Sequence, residues 1–187
     1  MSATERSVLL VSGAPASGKS TVAAVLAKRL GWPILAKDPV KESLYDALGD
    51  VLSATCATEA LSHTLSQTAV DLLWTMARGC RQVILEANFR PHDAHDAHER
   101  ACLTALAGRK MEVWCHCSAE EATRRFAQRA AEWRHHPAHS LKQVTPEMLR
   151  EYDEPFKLAP VIAVNTEEPL DADAILKAIR AQWPDMR

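Results

Sequence analysis

Short apolar runs alternate along this chain with longer stretches of helical periodicity. Val8-Leu9-Leu10-Val11 is apolar at every position, the mark of a strand buried on both faces, and predicts a strand over about residues 7–12. Thr21-Val22-Ala23-Ala24-Val25-Leu26-Ala27 is a good helix former; that helix extends to about Leu30, where Gly31-Trp32-Pro33 breaks it. Ile34-Leu35-Ala36 reads as a short second strand ending at Lys37-Asp38. A helical region is expected over about 39–80, interrupted near Gly49-Asp50 and closed at Gly79. Val83-Ile84-Leu85 forms a third strand, and a polar, histidine-rich loop including His92 leads to a helix ending at Gly108. The fourth strand covers 111–116, and Ser118 is the expected N-cap of the next helix, with Glu120 and Glu121 in its first turn. Residues 160–165 supply a fifth strand, and a closing helix runs from about Leu170 to Trp183, whose indole is expected at the surface.

Strands alternating with helices predict an α/β domain with a parallel sheet covered on both faces. The 187 residues suit one domain, and no repeat or linker divides them. In such a sheet ligands gather at the carboxyl ends of the strands. Lys37-Asp38, Glu86-Ala87-Asn88 and the loop after the first strand therefore share one rim.

That loop reads Gly13-Ala14-Pro15-Ala16-Ser17-Gly18-Lys19-Ser20. Between a strand and a helix, the spacing G-x-x-x-x-G-K-[ST] is a phosphate-binding loop. Its glycines let the backbone curl so that successive N–H groups converge on an anion, and the new helix adds its positive dipole end. Gly13, Ala14, Ala16, Ser17, Gly18, Lys19, Ser20 and Thr21 are the expected nucleotide-binding residues. Lys19 can reach the β- and γ-phosphates, and the Ser20 hydroxyl can ligate Mg²⁺. A nucleoside triphosphate is the expected ligand.

Phosphoryl transfer to a hydroxyl needs a carboxylate to orient the acceptor and accept its proton. Asp38 follows the second strand and fits that role; the competing reading is a helix N-cap before Pro39. Glu86, at the end of the third strand, falls where an acid that holds Mg²⁺ through water or orients substrate would stand; a salt bridge with Arg90 or Lys37 is the structural alternative. Asn88, Arg90 and His92 follow on the same rim. In the helix after Ser118, Ala122, Phe126, Ala130 and Trp133 make the buried stripe, bordered by Arg125 and Arg129 while Arg124 points away. Arg125 and Arg129 could clamp polyphosphate, or pair with Glu121 and Glu132 at helical spacing. Arg134-His135-His136-Pro137-Ala138-His139 reads as a loop closing over substrate, with Arg134, His136 and His139 as contacts. Tyr45, His63, Gln67 and Trp74 would shape the acceptor pocket, with Trp74 better suited to the core.

Composition narrows the partners. A formal net charge of −2, without a long basic groove studded with aromatics, disfavours nucleic acid. No apolar run is long enough to span a bilayer, and Met1-Ser2-Ala3-Thr4-Glu5-Arg6 lacks the features of a signal peptide, so a cytoplasmic address is expected. The five cysteines show no disulfide spacing, and in Cys115-His116-Cys117 the middle residue of a strand faces away from its neighbours, which argues against a metal site.

The phosphate loop, Asp38 after strand two, and the R-x-x-x-R helix with its RH-rich sequel resemble the P-loop kinases of small molecules. Within that adenylate-kinase-like set the chain is similar to chloramphenicol phosphotransferase, gluconate kinase, the zeta toxins and the AAA-type predicted kinases. The segments Ala36-Lys37-Asp38-Pro39-Val40-Lys41-Glu42 and 134–139 most resemble the last group. The resemblance implies a three-layer P-loop NTPase fold with a five-stranded sheet in the order 2-3-1-4-5, an acceptor-binding region at about 39–80, and a helical lid at about 118–142 containing Arg125 and Arg129. It also implies an adenine-contacting turn at Asn165-Thr166 and an acceptor site that includes Asp38 and Lys41. Two positions depart from the pattern: no glycine precedes His139, and Asn165 stands where aspartate is frequent. The activity so implied is ATP- and Mg²⁺-dependent phosphorylation of a small-molecule hydroxyl. A polynucleotide 5′-hydroxyl or nucleotide kinase is the alternative within catalysis, and an ATP-binding switch or toxin-like protein the alternative outside it. No N-K-x-D motif follows the fourth strand, which disfavours a GTPase.

Overall fold

The computed structural model describes residues 6–54, 57–91, 96–131 and 136–184. Five strands, β1 (Ser7–Ser12), β2 (Ile34–Ala36), β3 (Gln82–Glu86), β4 (Arg109–His116) and β5 (Val161–Asn165), form one sheet in the order β2-β3-β1-β4-β5. All four pairings are parallel. Seven helices are described: α1 (Lys19–Leu30), α2 (Lys37–Ser53), α3 (Thr58–Ala77), α4 (Asp96–Ala105), α5 (Ala119–Ala131), α6 (Pro146–Arg150) and α7 (Ala172–Gln182). This is the three-layer P-loop NTPase fold, with the strand order that the family resemblance implies.

The central strand explains its own composition. Successive side chains of a strand point to opposite faces, so Leu9 and Val11 join one core while Val8 and Leu10 join another. The first core packs β1, β3 and β4 against Val22 and Leu26 of α1 and Ile175, Leu176 and Ile179 of α7. The second packs the opposite face against Leu73 and Trp74 of α3, Leu103 of α4 and Phe156. Trp74 is thus a core residue, tilted against Phe89 at 5.8 Å between ring centroids.

Two expectations need correction, and one competing reading falls away. The interruption near Gly49-Asp50 does not occur: α2 runs through Gly49 to Ser53. Gly49 is buried, and a Cβ there would stand 3.3 Å from the Tyr45 ring, so close packing accounts for glycine in mid-helix. Asp38 is not an N-cap; Ala36 holds that position and Asp38 lies inside the first turn of α2. Trp183 is not exposed. It is 5% accessible and stacks on Trp32 at 6.2 Å, with the Arg109 guanidinium 5.0 Å from its ring. Ser118, by contrast, caps α5 as expected, its hydroxyl accepting from the Glu121 N–H at 3.3 Å.

One buried charge positions the rim. Glu112 on β4 is wholly inaccessible, accepts the N–H groups of Phe156 (2.8 Å) and Lys157 (2.9 Å), and also accepts from the Ser12 hydroxyl. A buried carboxylate so satisfied ties the segment after α6 to the sheet. Tyr152, six residues past the start of that helix, is held nearby at the mouth of the site.

Candidate active site

The phosphate loop has the geometry its sequence demands. Gly13 takes φ +135°, and a Cβ there would fall 2.1 Å from the Cys115 carbonyl oxygen of β4, so only glycine fits. Gly18 takes φ +82° as it leads into α1. Ala16, between them, is also left-handed at φ +61°. Lys19 is buried and its Nζ donates to the Ala14 carbonyl at 2.8 Å, folding the side chain back over the loop. Ser17 Oγ is buried with no hydrogen-bond partner among the described residues. A curled backbone with an unused hydroxyl beside a helix N-terminus suits a phosphate oxygen. For Gly18→Ala we expect about 1–2 kcal/mol of lost stability from the left-handed backbone alone, with the new methyl 3.3 Å from Thr166; a thermal or denaturant melt measures it.

A cleft of about 900 Å³ opens in front of this loop at the carboxyl ends of β1, β2 and β3, large enough for a nucleotide and a small acceptor. Lys19, Ser20, Asp38 and Glu86 meet on its floor. Burial pushes the Asp38 carboxyl up, but the surrounding Lys37, His139, Lys19 and Arg129 outweigh it and hold Asp38 below its ordinary value. It is therefore ionised at neutral pH. Burial raises Glu86, against the pull of Lys19, and its carboxylate hydrogen-bonds Ser20. Burial also lowers Lys19, opposed by Glu86 and Asp38. Ser20 and Glu86 together present the hard oxygen donors that Mg²⁺ prefers.

The α5 side of the cleft is less symmetrical than the sequence suggested. Arg129 lines the cleft with its guanidinium carbon 5.5 Å from the Phe126 ring. Arg125 also lines the cleft, but its guanidinium is already committed: it donates to Glu121 (2.6 Å) and to the Thr166 hydroxyl and carbonyl (3.1 and 2.8 Å). Arg124 pairs with Glu121 on the outer side. Thr166 in turn donates to the Ser17 carbonyl at 2.9 Å, so Arg125 and Thr166 brace the loop from the β5 side. Asn165 is exposed and donates to Glu168 at 2.9 Å; neither Asn165 nor Thr166 lines the cleft. Ala122 and Phe126 pack against Ala14 and Ala16, seating α5 directly on the phosphate loop.

On the opposite wall the segment after α5 is docked onto α2. His139 meets Glu42 at 2.8 Å and His136 meets Asp46 at 3.1 Å, two acids one helical turn apart. Tyr45, between them, stands edge-on to the His136 ring at 5.8 Å. Arg90 donates to the Tyr152 hydroxyl at 3.0 Å and pairs with Glu151 at 3.3 Å, and Asn88 also hydrogen-bonds Tyr152. Arg90 and Asn88 thus line the cleft while bound to its rim. Arg134, His92, His135, Glu132 and Trp133 lie outside the described residues. Lys37 lines the cleft, as its place on the expected rim implied, whereas the sequence reading did not single out Ser62 and Tyr152, which also line it. Ser62 and Ser66, a turn apart on the polar side of α3, carried the signal.

Lys41 is buried and donates to the Ser62 hydroxyl at 2.8 Å, and Ser62 donates to the Ala138 carbonyl at 3.0 Å. Burial, with Lys37 adding to it, lowers its pKa from 10.5 to about 8. The sign follows. Between about pH 8 and 10.5 the folded chain has released a proton that the unfolded chain keeps, so folding gains stability as pH rises. Below about 8 both states carry the charge and the penalty is constant. We expect the stability of wild type relative to Lys41→Met to climb across that interval, as melts in a pH series would record.

Among the described residues no helix is long and apolar enough to cross a membrane, and no cluster of three or more His, Cys, Asp or Glu side chains could hold a metal ion. Cys115 lies buried under the loop with its thiol pushed up to about 12, first by burial, which makes it an inert core residue.

A protein from Chloroflexus aurantiacus named as a “putative kinase” matches the structure with a TM-score of 0.78 at 27% identity, covering 95% of this chain and 98% of that one. Shikimate kinase from Acinetobacter baumannii, in complex with shikimate, matches at TM-score 0.54 and 16% identity, covering 97% and 95%. A gluconokinase from Sinorhizobium meliloti matches at TM-score 0.54 and 12% identity, covering 96% and 98%. These last two establish likeness of fold. A comparison with curated protein sequences returns no match. Residues 8–155 match the family model described as an AAA domain, and the chain belongs to that family.

Proposed function

We propose that the chain is an ATP- and Mg²⁺-dependent kinase that transfers the γ-phosphoryl group to a hydroxyl of a small molecule. The observation that carries this reading is the meeting of Asp38, ionised and half-buried, with Lys19, Ser20 and Glu86 on one cleft floor. The loop N–H groups, the Ser17 hydroxyl and Lys19 hold the β- and γ-phosphates, which requires Lys19 to leave the Ala14 carbonyl. Ser20 and Glu86 would hold Mg²⁺, directly or through water, and the ion would supply positive charge against that developing on the phosphates. Asp38 accepts a hydrogen bond from the acceptor hydroxyl and then its proton. The acceptor oxygen bonds to the γ-phosphorus as the bond to the β-phosphate oxygen breaks, and ADP leaves.

Arg129 faces the same space from α5 and suits the transferring phosphoryl group. Arg125 contributes by bracing the loop through Thr166, and Asn165-Thr166 marks the side on which the adenine would lie. Asn88, Arg90, His136 and His139 form the acceptor wall, the histidines by keeping the 136–140 segment on α2. Structural neighbours named for shikimate and gluconate support a small hydroxylated acceptor. The whole chain acts as one kinase unit, with α2 and α3 as the acceptor side and α5 with the following segment as the lid.

ADP release measured with Mg-ATP against hydroxylated metabolites, antibiotics and oligonucleotides tests the reading. Stimulation by a small acceptor supports it. Stimulation by oligonucleotide ends alone would favour the polynucleotide kinase, and ATP binding that no acceptor stimulates would favour a switch.

A further inference from the structure

One residue of the expected acceptor site, Lys41, has no stated chemical task. Lys41 is 5% accessible, lines the cleft, and spends one of its three N–H bonds on Ser62. No carboxylate among the described residues forms an ion pair with it. Glu42, beside it in sequence, is held by His139, and Asp38 is ringed by Lys37, His139, Lys19 and Arg129. Asp38 and Glu42 favour its charge from a distance, but a buried cation without a direct ion pair is costly, and most such charges are paired. The Ser62 hydroxyl cannot supply the missing charge, and its own proton goes to the Ala138 carbonyl. Burial, with Lys37 beside it, leaves the ammonium well below an ordinary lysine even though Asp38 and Glu42 lie near enough to favour its charge.

Position says what would complete it. Asp38 and Lys41 are three residues apart on α2, which places them on one face about 5–6 Å apart at Cβ. Whatever hydroxyl meets Asp38 therefore brings its neighbouring substituents to Lys41.

We propose that Lys41 is a specificity-determining residue that binds an oxyanion, carboxylate or phosphate, carried by the acceptor about one helical turn from the hydroxyl that is phosphorylated. This rests on the kinase reading and adds the substrate class: anionic hydroxyl compounds rather than neutral polyols or cationic amino-alcohols. With one N–H bond given to Ser62, two remain for oxygens of a bound oxyanion, which a charge-assisted pair can use. Through Ser62 the same lysine also touches the 136–140 segment, so the anchor and the closing wall are linked.

The test pairs acceptors that differ only in charge, hydroxy acids against their amides and sugar phosphates against the free sugars, with wild type, Lys41→Met and Lys41→Arg. Wild type should favour the anionic member by about 10- to 100-fold in kcat/KM, the range of a hydrogen bond to a charged group. Lys41→Met should lose that preference through KM, Lys41→Arg should recover part of it, and KM for ATP should not move. The arm that shows the effect, carboxylate or phosphate, names the oxyanion. Equal use of neutral and anionic acceptors by wild type, or a preference that survives in Lys41→Met, overturns the proposal.

A second readout does not depend on turnover or on the variant folding. In the wild-type chain, the Lys41 ammonium is titrated by NMR with acetate or inorganic phosphate as the probe, against chloride at equal ionic strength. Its midpoint should rise with one probe, and an unmoved midpoint with both overturns the proposal. A raised midpoint in a chain that phosphorylates nothing would sink the kinase reading and leave the anion site standing. Turnover of neutral acceptors with an unmoved midpoint would do the reverse.

Discussion

Asp38→Asn is expected to lower acceptor-dependent turnover by about 10²- to 10⁴-fold, the usual contribution of a positioned general base, while ATP affinity changes little. Asparagine keeps the shape and can still orient a hydroxyl, but it cannot take the proton. The carboxylate matters because of its surroundings. Burial alone would raise it toward neutrality, yet Lys37, His139, Lys19 and Arg129 hold it below 3.8. The acid limb that Asp38 sets on kcat/KM, which reports the free enzyme, therefore lies below the ordinary carboxylate value, and the free base is ionised at pH 7. The same sign applies to folding: a depressed carboxylate contributes stability that is lost only as pH falls through its folded value. Initial rates in saturating acceptor, with ATP affinity measured separately, check both halves of the expectation.

Lys19→Met should cost about 10²- to 10³-fold in kcat, the scale seen when one donor to developing charge is removed, and should weaken ATP binding as well. That double loss separates it from Asp38→Asn. Lys19 is buried beside Glu86 and Asp38 and bonds the Ala14 carbonyl, so the ammonium is largely dry and held at the loop. Its bond to the Ala14 carbonyl is the contact that γ-phosphate would replace. The methionine variant removes the charge while filling most of the space, so the fold should persist. Steady-state kinetics together with calorimetric titration of ATP distinguish the two losses.

Local pattern carried the core and the phosphate loop. Val8-Leu9-Leu10-Val11 reads as a doubly buried strand because each face of β1 meets a separate core, and the glycine spacing follows from the approach of Gly13 to Cys115. What stayed hidden was non-local. Nothing near Trp183 says that Trp32 lies beneath it, and nothing near His136 and His139 says that Asp46 and Glu42 wait on α2. Arg125 looks like Arg129 along the helix, and only the return of β5 sets Thr166 beside one of them. Gly49 misled because helix propensity is a weak prior that a tyrosine ring can override. The short α6 was legible and passed over: Thr145 caps it through its side chain and Pro146 stands in its first turn.

The cleft's central assignment is phosphoryl transfer at Asp38, and ³¹P NMR of the full chain with Mg-ATP and the acceptor panel tests it most directly. A phosphomonoester signal should grow in step with ADP for wild type and all but vanish for Asp38→Asn. ADP and inorganic phosphate appearing without any monoester, at the same rate in both proteins, would contradict it.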